Sequence, residues 1–460
     1  MPRASVRPAW RLPILLVFLS CAFAQPSIDS TEYQARRRAA MEKIPDGIIL
    51  LHSVSGLKRW DESGFHQDAS FYAFTGLANA LDAILVLDGA ERQSWLFLMP
   101  RSRAFSADLQ GLDAVFVDPG ASAEAALQID HVVAWDTFVA FVDARRKSNP
   151  KLVLYLDSAG QTGGMSGEVS NPAGIAAIEN PHKLWRDAIH QRWNDLEIKD
   201  AFAILDEVRW VKSPAELALL RKAASVTAES FWAGARAIAP GKTQRQVEGE
   251  VIRACLNAGS DGLSLWPWVR LGPFTMPATL FEAFADYRNM DRTMQAGEVV
   301  RLDLGCDFRM YKGDFGRTLP VTGRFDAGQR ETMGLLNGAY LAGVDAMKPA
   351  ATPGQVRQAF RSHVESHQSG LQTPLAREAA SAALKNPMQP LHGLGVDMAE
   401  GSPKVFHEGN VVCYEPGLIA GQQYFVEDTI LITPGGHEIL NPALPYAPAD
   451  LEREMAKRQP

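Results

Sequence analysis

One stretch of this chain occurs twice, and an internal repeat limits the possible folds more tightly than composition does. "AGARAIAPGKTQRQV", from Ala233, is echoed by "AGVDAMKPAATPGQV", from Ala342. Ala233/Ala342, Gly234/Gly343, Ala237/Ala346, Pro240/Pro349, Thr243/Thr352, Gln246/Gln355 and Val247/Val356 coincide. A second pair follows in the same order: "GEVVRLDLG" from Gly297 and "GNVVCYEPG" from Gly409. Glycines and prolines at helix ends can align by punctuation alone, but two weak similarities in one order are harder to produce by chance than either. The region from about 205 to 440 therefore reads as a duplicated unit, each half a helix pair packed on antiparallel strands. Local signals agree. Ser213, Pro214 and Glu216 form a helix-start pattern with a capping box, and Thr243 with Gln246 form another.

Both repeated strands run apolar residues into an acid, Asp303 in the first half and Glu415 in the second. Each half offers another: Asp314 in "CDFRMYKGDFGRT" and Glu427 in "QQYFVEDTILIT". Carboxylates gathered on buried strands cannot all stay ionised without a cation, because desolvation and mutual repulsion would force protons onto them. Divalent metal ions remove both problems. Asp307 and Asp428, by contrast, are expected on solvent-facing strand ends. His392, in "PLHGLGVDMAEG", lies between the two acid pairs. A lone histidine among glycines is otherwise structural; with these acids it becomes a candidate ligand. Oxygen-rich ligation with one imidazole suits Mn²⁺, Co²⁺ or Zn²⁺.

The first part of the chain has a different texture. "STEYQARRRAAMEKI" is helix-like, and "GIILL", "SFYAFTGL", "DAILVLD", "SWLFLMP", "HVVAW" and "KLVLYLD" are strand-like. That alternation predicts an α/β domain. At 460 residues the chain exceeds one ordinary core. The expected organisation is a leader over 1–24, an N-terminal α/β domain over 25–185 and a C-terminal α+β domain over 200–445. The leader reading rests on Arg3, Arg7 and Arg11, an apolar run from Leu12 to Phe23, and Ala22-Phe23-Ala24 before Gln25. It implies a periplasmic or secreted protein with no membrane span in the mature chain; a lipid anchor at Cys21 is the less favoured variant. Net charge is −7 and no lysine/arginine run is long enough for a phosphate-binding face, which excludes nucleic acid as a partner. Cys255, Cys306 and Cys413 would remain after cleavage, and the expectation is buried thiols rather than a disulfide.

Taken in order, "LDLGCDFRMYKGDFGRT", "HGLGVDMAEG", "CYEPGL" and "VEDTILIT" resemble the metal-site motifs of the Xaa-Pro aminopeptidase (aminopeptidase P) and prolidase family. "FHQDASFYAFTGL" (65–77) is similar to that family's N-terminal domain. The resemblance implies a pita-bread fold with a pseudo-two-fold axis and two divalent ions, Mn²⁺ foremost. It makes Asp303, Asp314, His392, Glu415 and Glu427 the metal ligands, with Glu415 also moving protons. Paired metals activate water for attack on a peptide carbonyl, so the implied reaction removes the N-terminal residue from short Xaa-Pro peptides. A homodimer or tetramer is also implied. Three positions depart from the pattern: Asp286 stands before Tyr287 where the family has histidine, Ala399 replaces another histidine, and Phe425 replaces an arginine. Asp286 could bind the substrate's amine, or donate a proton when neutral, and is the second candidate catalytic residue. Losing an oxyanion donor costs roughly 10²–10³ in rate, so the alternative reading is a metal-binding pseudoenzyme that binds peptides.

Overall fold

The computed structural model describes residues 27–54, 66–99, 118–157, 181–275, 291–401, 403–441 and 444–457; the expected leader, Cys21 and Asp286 with Tyr287 lie outside them. The first part comprises α1 (Ser30–Glu42), β1 (Gly47–His52), α2 (Ala69–Thr75), β2 (Ile84–Asp88), β3 (Gln93–Leu98), α3 (Ala121–Leu127), β4 (His131–Ala134), α4 (Phe138–Ser148), β5 (Val153–Leu156), α5 (Pro181–Arg192) and β6 (Glu197–Asp200). Six strands form one sheet in the order β4-β3-β2-β1-β5-β6. It is mixed: β1–β2 and β2–β3 are antiparallel, whereas β3–β4, β1–β5 and β5–β6 are parallel. β6, Glu197–Asp200, completes this sheet.

"SFYAFTGL" is helical, not a strand. Every residue of α2 is buried, and a short segment buried on all sides shows no period that could separate helix from strand. What decides it is the cap: the Asp68 carboxylate accepts the Phe71 N–H at 2.7 Å.

The remainder comprises α6 (Phe202–Arg209), α7 (Pro214–Ala237), α8 (Gln244–Asn257), β7 (Gly262–Leu271), β8 (Val299–Phe308), β9 (Tyr311–Lys312), β10 (Phe315–Pro320), α9 (Ala327–Asp345), α10 (Pro353–His367), α11 (Pro374–Lys385), β11 (Leu391–Gly393), β12 (Val411–Tyr414), β13 (Gly417–Ile419), β14 (Gln423–Thr433), β15 (Gly436–Ile439) and α12 (Pro448–Met455). A nine-stranded sheet runs β11-β12-β14-β10-β8-β7, with β13 and β15 on β14 and β9 on β8. Its named pairings are all antiparallel. Among the described residues, no helix is long and apolar enough to cross a membrane.

The repeat is visible in space. Ser213 and Thr243 close capping boxes at the starts of α7 and α8, and Asp326 and Thr352 do the same for α9 and α10. The matched glycines also have matched reasons. A Cβ at Gly234 would lie 2.5 Å from Val251 and 3.5 Å from Leu302, and one at Gly343 would lie 2.9 Å from the Tyr414 ring. Leu302 and Tyr414 each immediately precede an acid of the candidate site, so each half needs a bare backbone where its first helix crosses the acid-bearing strand. α7 and α8 pack on each other and on β8 and β7, and α9 and α10 pack on each other, with α9 on β14.

One cysteine expectation is overturned. Cys255, near the end of α8, forms a disulfide with Cys306 on β8, with Cα atoms 5.9 Å apart; only Cys413 is a free buried thiol among the described residues. The two partners are 51 residues apart in sequence, and it is the packing of α8 on β7, the strand paired with β8, that brings them together.

Candidate metal centre

Strand register places the acids. Asp303 on β8 pairs with Gly316 on β10, and Gly316 pairs with Glu427 on β14. Residues directly opposite in a sheet share a face, so Asp303 and Glu427 flank the bare backbone of Gly316. Asp314 is two residues before Gly316 and falls on that face too. All three are nearly closed to solvent: Asp303 and Glu427 are 2% exposed and Asp314 3%.

His392 enters on β11, which pairs with β12. Its Nδ1 lies 3.0 Å from the Gly393 carbonyl oxygen; a carbonyl only accepts, so Nδ1 donates there and Nε2 is the ring nitrogen that faces the acids. Nε2 is 3.6 Å from Asp314 Oδ2 and 3.8 Å from Glu415 Oε1. Glu415 follows β12 directly. The segment after His392 is anchored from outside the site: Glu400 pairs with Lys212 at 2.6 Å with both side chains buried, and the Gly401 N–H donates to Asp206 at 2.9 Å.

The five expected ligands therefore face one another. Ligand atoms of Asp314, His392, Cys413 and Glu427 lie within 4.8 Å of one another. Asp303 joins through Arg301, whose Nη2 is 2.7 Å from Asp303 Oδ2 and 3.9 Å from Glu415 Oε2. Exposure gives the centre a closed floor and an open rim. The side chains of His392 and Glu415 are 23% and 19% exposed, against 5% or less for Asp303 and Asp314. A ligand from solvent meets His392 and Glu415 first.

The electrostatics are those of a crowded anionic cluster. Burial, then Asp303 and Glu415, hold the Asp314 carboxyl well above the ordinary carboxylate range. Burial, then Asp314, Asp303 and Glu415, do the same to Glu427. Burial also raises Glu415, although His392 and Arg301 pull the other way. Asp303 Oδ1 is buried with no hydrogen-bond partner among the described residues. A buried, orphaned carboxylate oxygen beside other acids is a donor set that fits a divalent cation. Cys413 adds a thiol, pushed up by burial and then by Asp314 and Glu427.

Two acids do not behave as expected. Asp307 and Asp428 are buried, not solvent-facing. Asp428 alternates with Glu427 along β14 and so points to the opposite face, where Arg317 binds it at 2.8 Å and the hydroxyls of Tyr340 and Tyr446 donate at 2.7 and 2.8 Å. Asp307 is neutralised by Lys312 at 2.7 Å. Of the three departures, Asp286 lies outside the described residues. Ala399 is half-buried and has no polar side-chain atom to offer. Phe425 is buried with its ring against Arg301. Arg301 is the site residue that sequence reasoning missed; its signal was a charged residue inside the wholly buried strand "VVRLDLGCDF".

Comparison with known proteins agrees with this geometry. The sequence profile of metallopeptidase family M24 matches residues 218–434. The chain is 25% identical to an Xaa-Pro aminopeptidase of Escherichia coli over 93% of its own length and 98% of that protein's. It is 23% identical to one of Haemophilus influenzae, covering 92% and 97%. Among solved structures, Pseudomonas aeruginosa aminopeptidase PepP superposes with a TM-score of 0.72 at 20% identity, covering 94% of this chain and 99% of that one. A zinc-substituted E. coli aminopeptidase P in complex with product gives 0.70 at 23%, covering 94% and 100%.

Proposed function

Since residues 218–434 belong to metallopeptidase family M24, on the pita-bread fold of aminopeptidase P, we propose that this enzyme uses two divalent cations to remove the N-terminal residue from short peptides, with proline second. The observation that carries the reading is the gathering of Asp314, His392 and Glu427, with Glu415 3.8 Å from His392 and Asp303 Oδ1 buried without a hydrogen-bond partner among the described residues. Mn²⁺ is the preferred occupant, with Co²⁺ and Zn²⁺ as alternatives of suitable hardness.

Asp303, Asp314, His392, Glu415 and Glu427 would hold the cations. Bound there, the cations would supply Lewis-acid polarisation of the peptide carbonyl and a water of lowered pKa. Glu415 is suited to proton transfer. It stands at the open rim, 3.8 Å from His392, where it can pass a proton between solvent and the site. The three floor carboxylates are shielded from bulk water and hold position rather than exchange protons with solvent. Asp286 remains the candidate for the substrate's free amine. Export follows from the leader reading of 1–24, and fractionation of cells expressing the full chain checks it.

A second reading, a pseudoenzyme that binds metal and peptide, is favoured by one observation: Ala399, where the resemblance expects a histidine, has no side-chain donor. Incubating the purified protein with Mn²⁺, Co²⁺ or Zn²⁺ and an Ala-Pro-x peptide set separates the two. Release of alanine supports the peptidase. Peptide and metal binding by calorimetry without release, and a gain of turnover on Asp286→His with Ala399→His, supports the second.

A further inference from the structure

Arg301 is the feature of this centre that neither the repeat nor the ligand motifs predict. It is 2% exposed, on the same strand and face as Asp303 and two residues before it. Two rows run side by side across the sheet. One is Asp303–Gly316–Glu427, and the next begins with Arg301 opposite Thr318. Thr318 Oγ1 accepts the Phe425 N–H at 2.7 Å, which brings Phe425 to the far end of the second row. Threonine is short, so the long side chains on either side meet over it. The Arg301 guanidinium carbon lies 3.7 Å from the centre of the Phe425 ring and 5.1 Å from that of Trp268.

The guanidinium is held as well as stacked. Nη1 donates to Gln423 Oε1 at 2.8 Å, and Nη2 donates to Asp303 Oδ2 at 2.7 Å. Nη2 also lies 3.9 Å from Glu415 Oε2. Arginine is a rigid fork that keeps its charge when desolvated, and aromatic faces attract it. It engages one Asp303 oxygen and leaves the other, Oδ1, buried without a hydrogen-bond partner among the described residues.

We propose that Arg301 is the positioning residue of this centre: from β8 it turns Asp303 so that Oδ1 faces the cation site, it restrains Glu415 at the rim, and it supplies the positive charge that Phe425 on β14 does not. The inference rests on the reading of Asp303 and Glu415 as cation ligands. It adds that their geometry in this chain depends on a residue outside the ligand set. Partners that hydrogen-bond a metal-ligating carboxylate typically matter by 10–100-fold in metal affinity or activity. Because the Phe425 ring touches the guanidinium, a cation introduced at 425 would reach the same space from the neighbouring strand.

The test uses Arg301→Met, Arg301→Lys and the double variant Arg301→Met with Phe425→Arg, each compared with the unaltered chain. Mn²⁺ affinity is measured by calorimetry on metal-stripped protein, and kcat and KM are measured on an Ala-Pro peptide. Arg301→Met should lose about 10–100-fold in affinity for at least one Mn²⁺, with the loss in turnover appearing in kcat rather than KM. The double variant should regain at least part of both. Arg301→Lys should fall between, since one ammonium cannot reach Asp303, Glu415 and Gln423 together. If Arg301→Met does not fold, the lysine variant carries the comparison. Wild-type affinity and kcat in a folded Arg301→Met, or in the lysine variant where it stands in, would overturn the proposal. So would a folded double variant no better than Arg301→Met. An unaltered chain that binds no Mn²⁺ would overturn both this proposal and the reading beneath it. An unaltered chain that binds Mn²⁺ while Arg301→Met binds it equally would overturn this proposal alone.

Discussion

Replacing Glu427 by glutamine should make the metal-free protein more stable and the metal-loaded protein less so. Glu427 is 2% exposed, and its ligand atom lies within 4.8 Å of those of Asp314 and His392. Two like charges at that separation repel by about 3 kcal/mol at an effective dielectric constant near 20. Without a cation, the wild type at pH 8 must bear that repulsion or hold a proton. The sign follows from linkage. Burial and neighbouring acids raise the folded-state pKa of Glu427 above its unfolded value, so the native state binds more protons and the wild type loses stability as pH rises from the unfolded value. Glutamine has nothing to titrate. In EDTA, Glu427→Gln should melt roughly 6–12 °C above wild type at pH 8, taking about 2–4 °C per kcal/mol for a domain of this size. At pH 5, close to the unfolded value of 4.5, the gap should nearly close. Saturating Mn²⁺ should reverse the order, because a ligand at about 1,000 times its Kd adds about 4 kcal/mol to a protein that binds it, more than that repulsion, and nothing to one that does not. Differential scanning fluorimetry at two pH values, with and without Mn²⁺, reads all four states. Equal or lower melting of Glu427→Gln in EDTA at pH 8, or an undiminished Mn²⁺ shift, would refute the reasoning.

Other expectations are simpler to check. Gly316→Ala would put a Cβ 2.7 Å from the Phe425 ring and 2.9 Å from the Leu302 carbonyl oxygen; it should cost about 1–3 kcal/mol and weaken Mn²⁺ binding, measured by denaturant titration and calorimetry. The Cys255–Cys306 disulfide closes a 51-residue separation, so Cys255→Ser should lower stability by about 2–4 kcal/mol, and non-reducing mass spectrometry should find Cys413 as the unpaired thiol. Burial opposes charge on His182, but Asp68 at 3.2 Å, followed by Asp157, outweighs it and pushes the imidazole up to about 9. Its contribution is therefore complete below the unfolded value of 6.5 and lost as pH rises to about 9. The penalty of His182→Gln, measured with Mn²⁺ at saturation, should accordingly shrink over that window.

The features legible in the sequence were those decided by neighbours along the chain. Ser213 with Glu216 and Thr243 with Gln246 form the expected capping boxes because such hydrogen bonds span three residues. The apolar strands that carry Asp303 and lead into Glu415 are both where the repeat put them. What the sequence hid depends on partners far along the chain. Alternation says that Glu427 and Asp428 face opposite ways, but not that Arg317 and two tyrosines wait on the second side. The Cys255–Cys306 bond needs the α8 packing, which no cysteine spacing encodes. "SFYAFT" is buried all round, so its helix shows no stripe. Arg301 was passed over because a cation in an apolar strand explains itself only once Phe425 and Trp268 are seen on either side of it.

The most direct test of the shared centre is a crystal of the protein grown with Mn²⁺ and measured at the manganese absorption edge. Two anomalous peaks within bonding distance of Asp303, Asp314, His392, Glu415 and Glu427 are the predicted result. Peaks elsewhere, or none among these side chains at saturating Mn²⁺, would contradict the account.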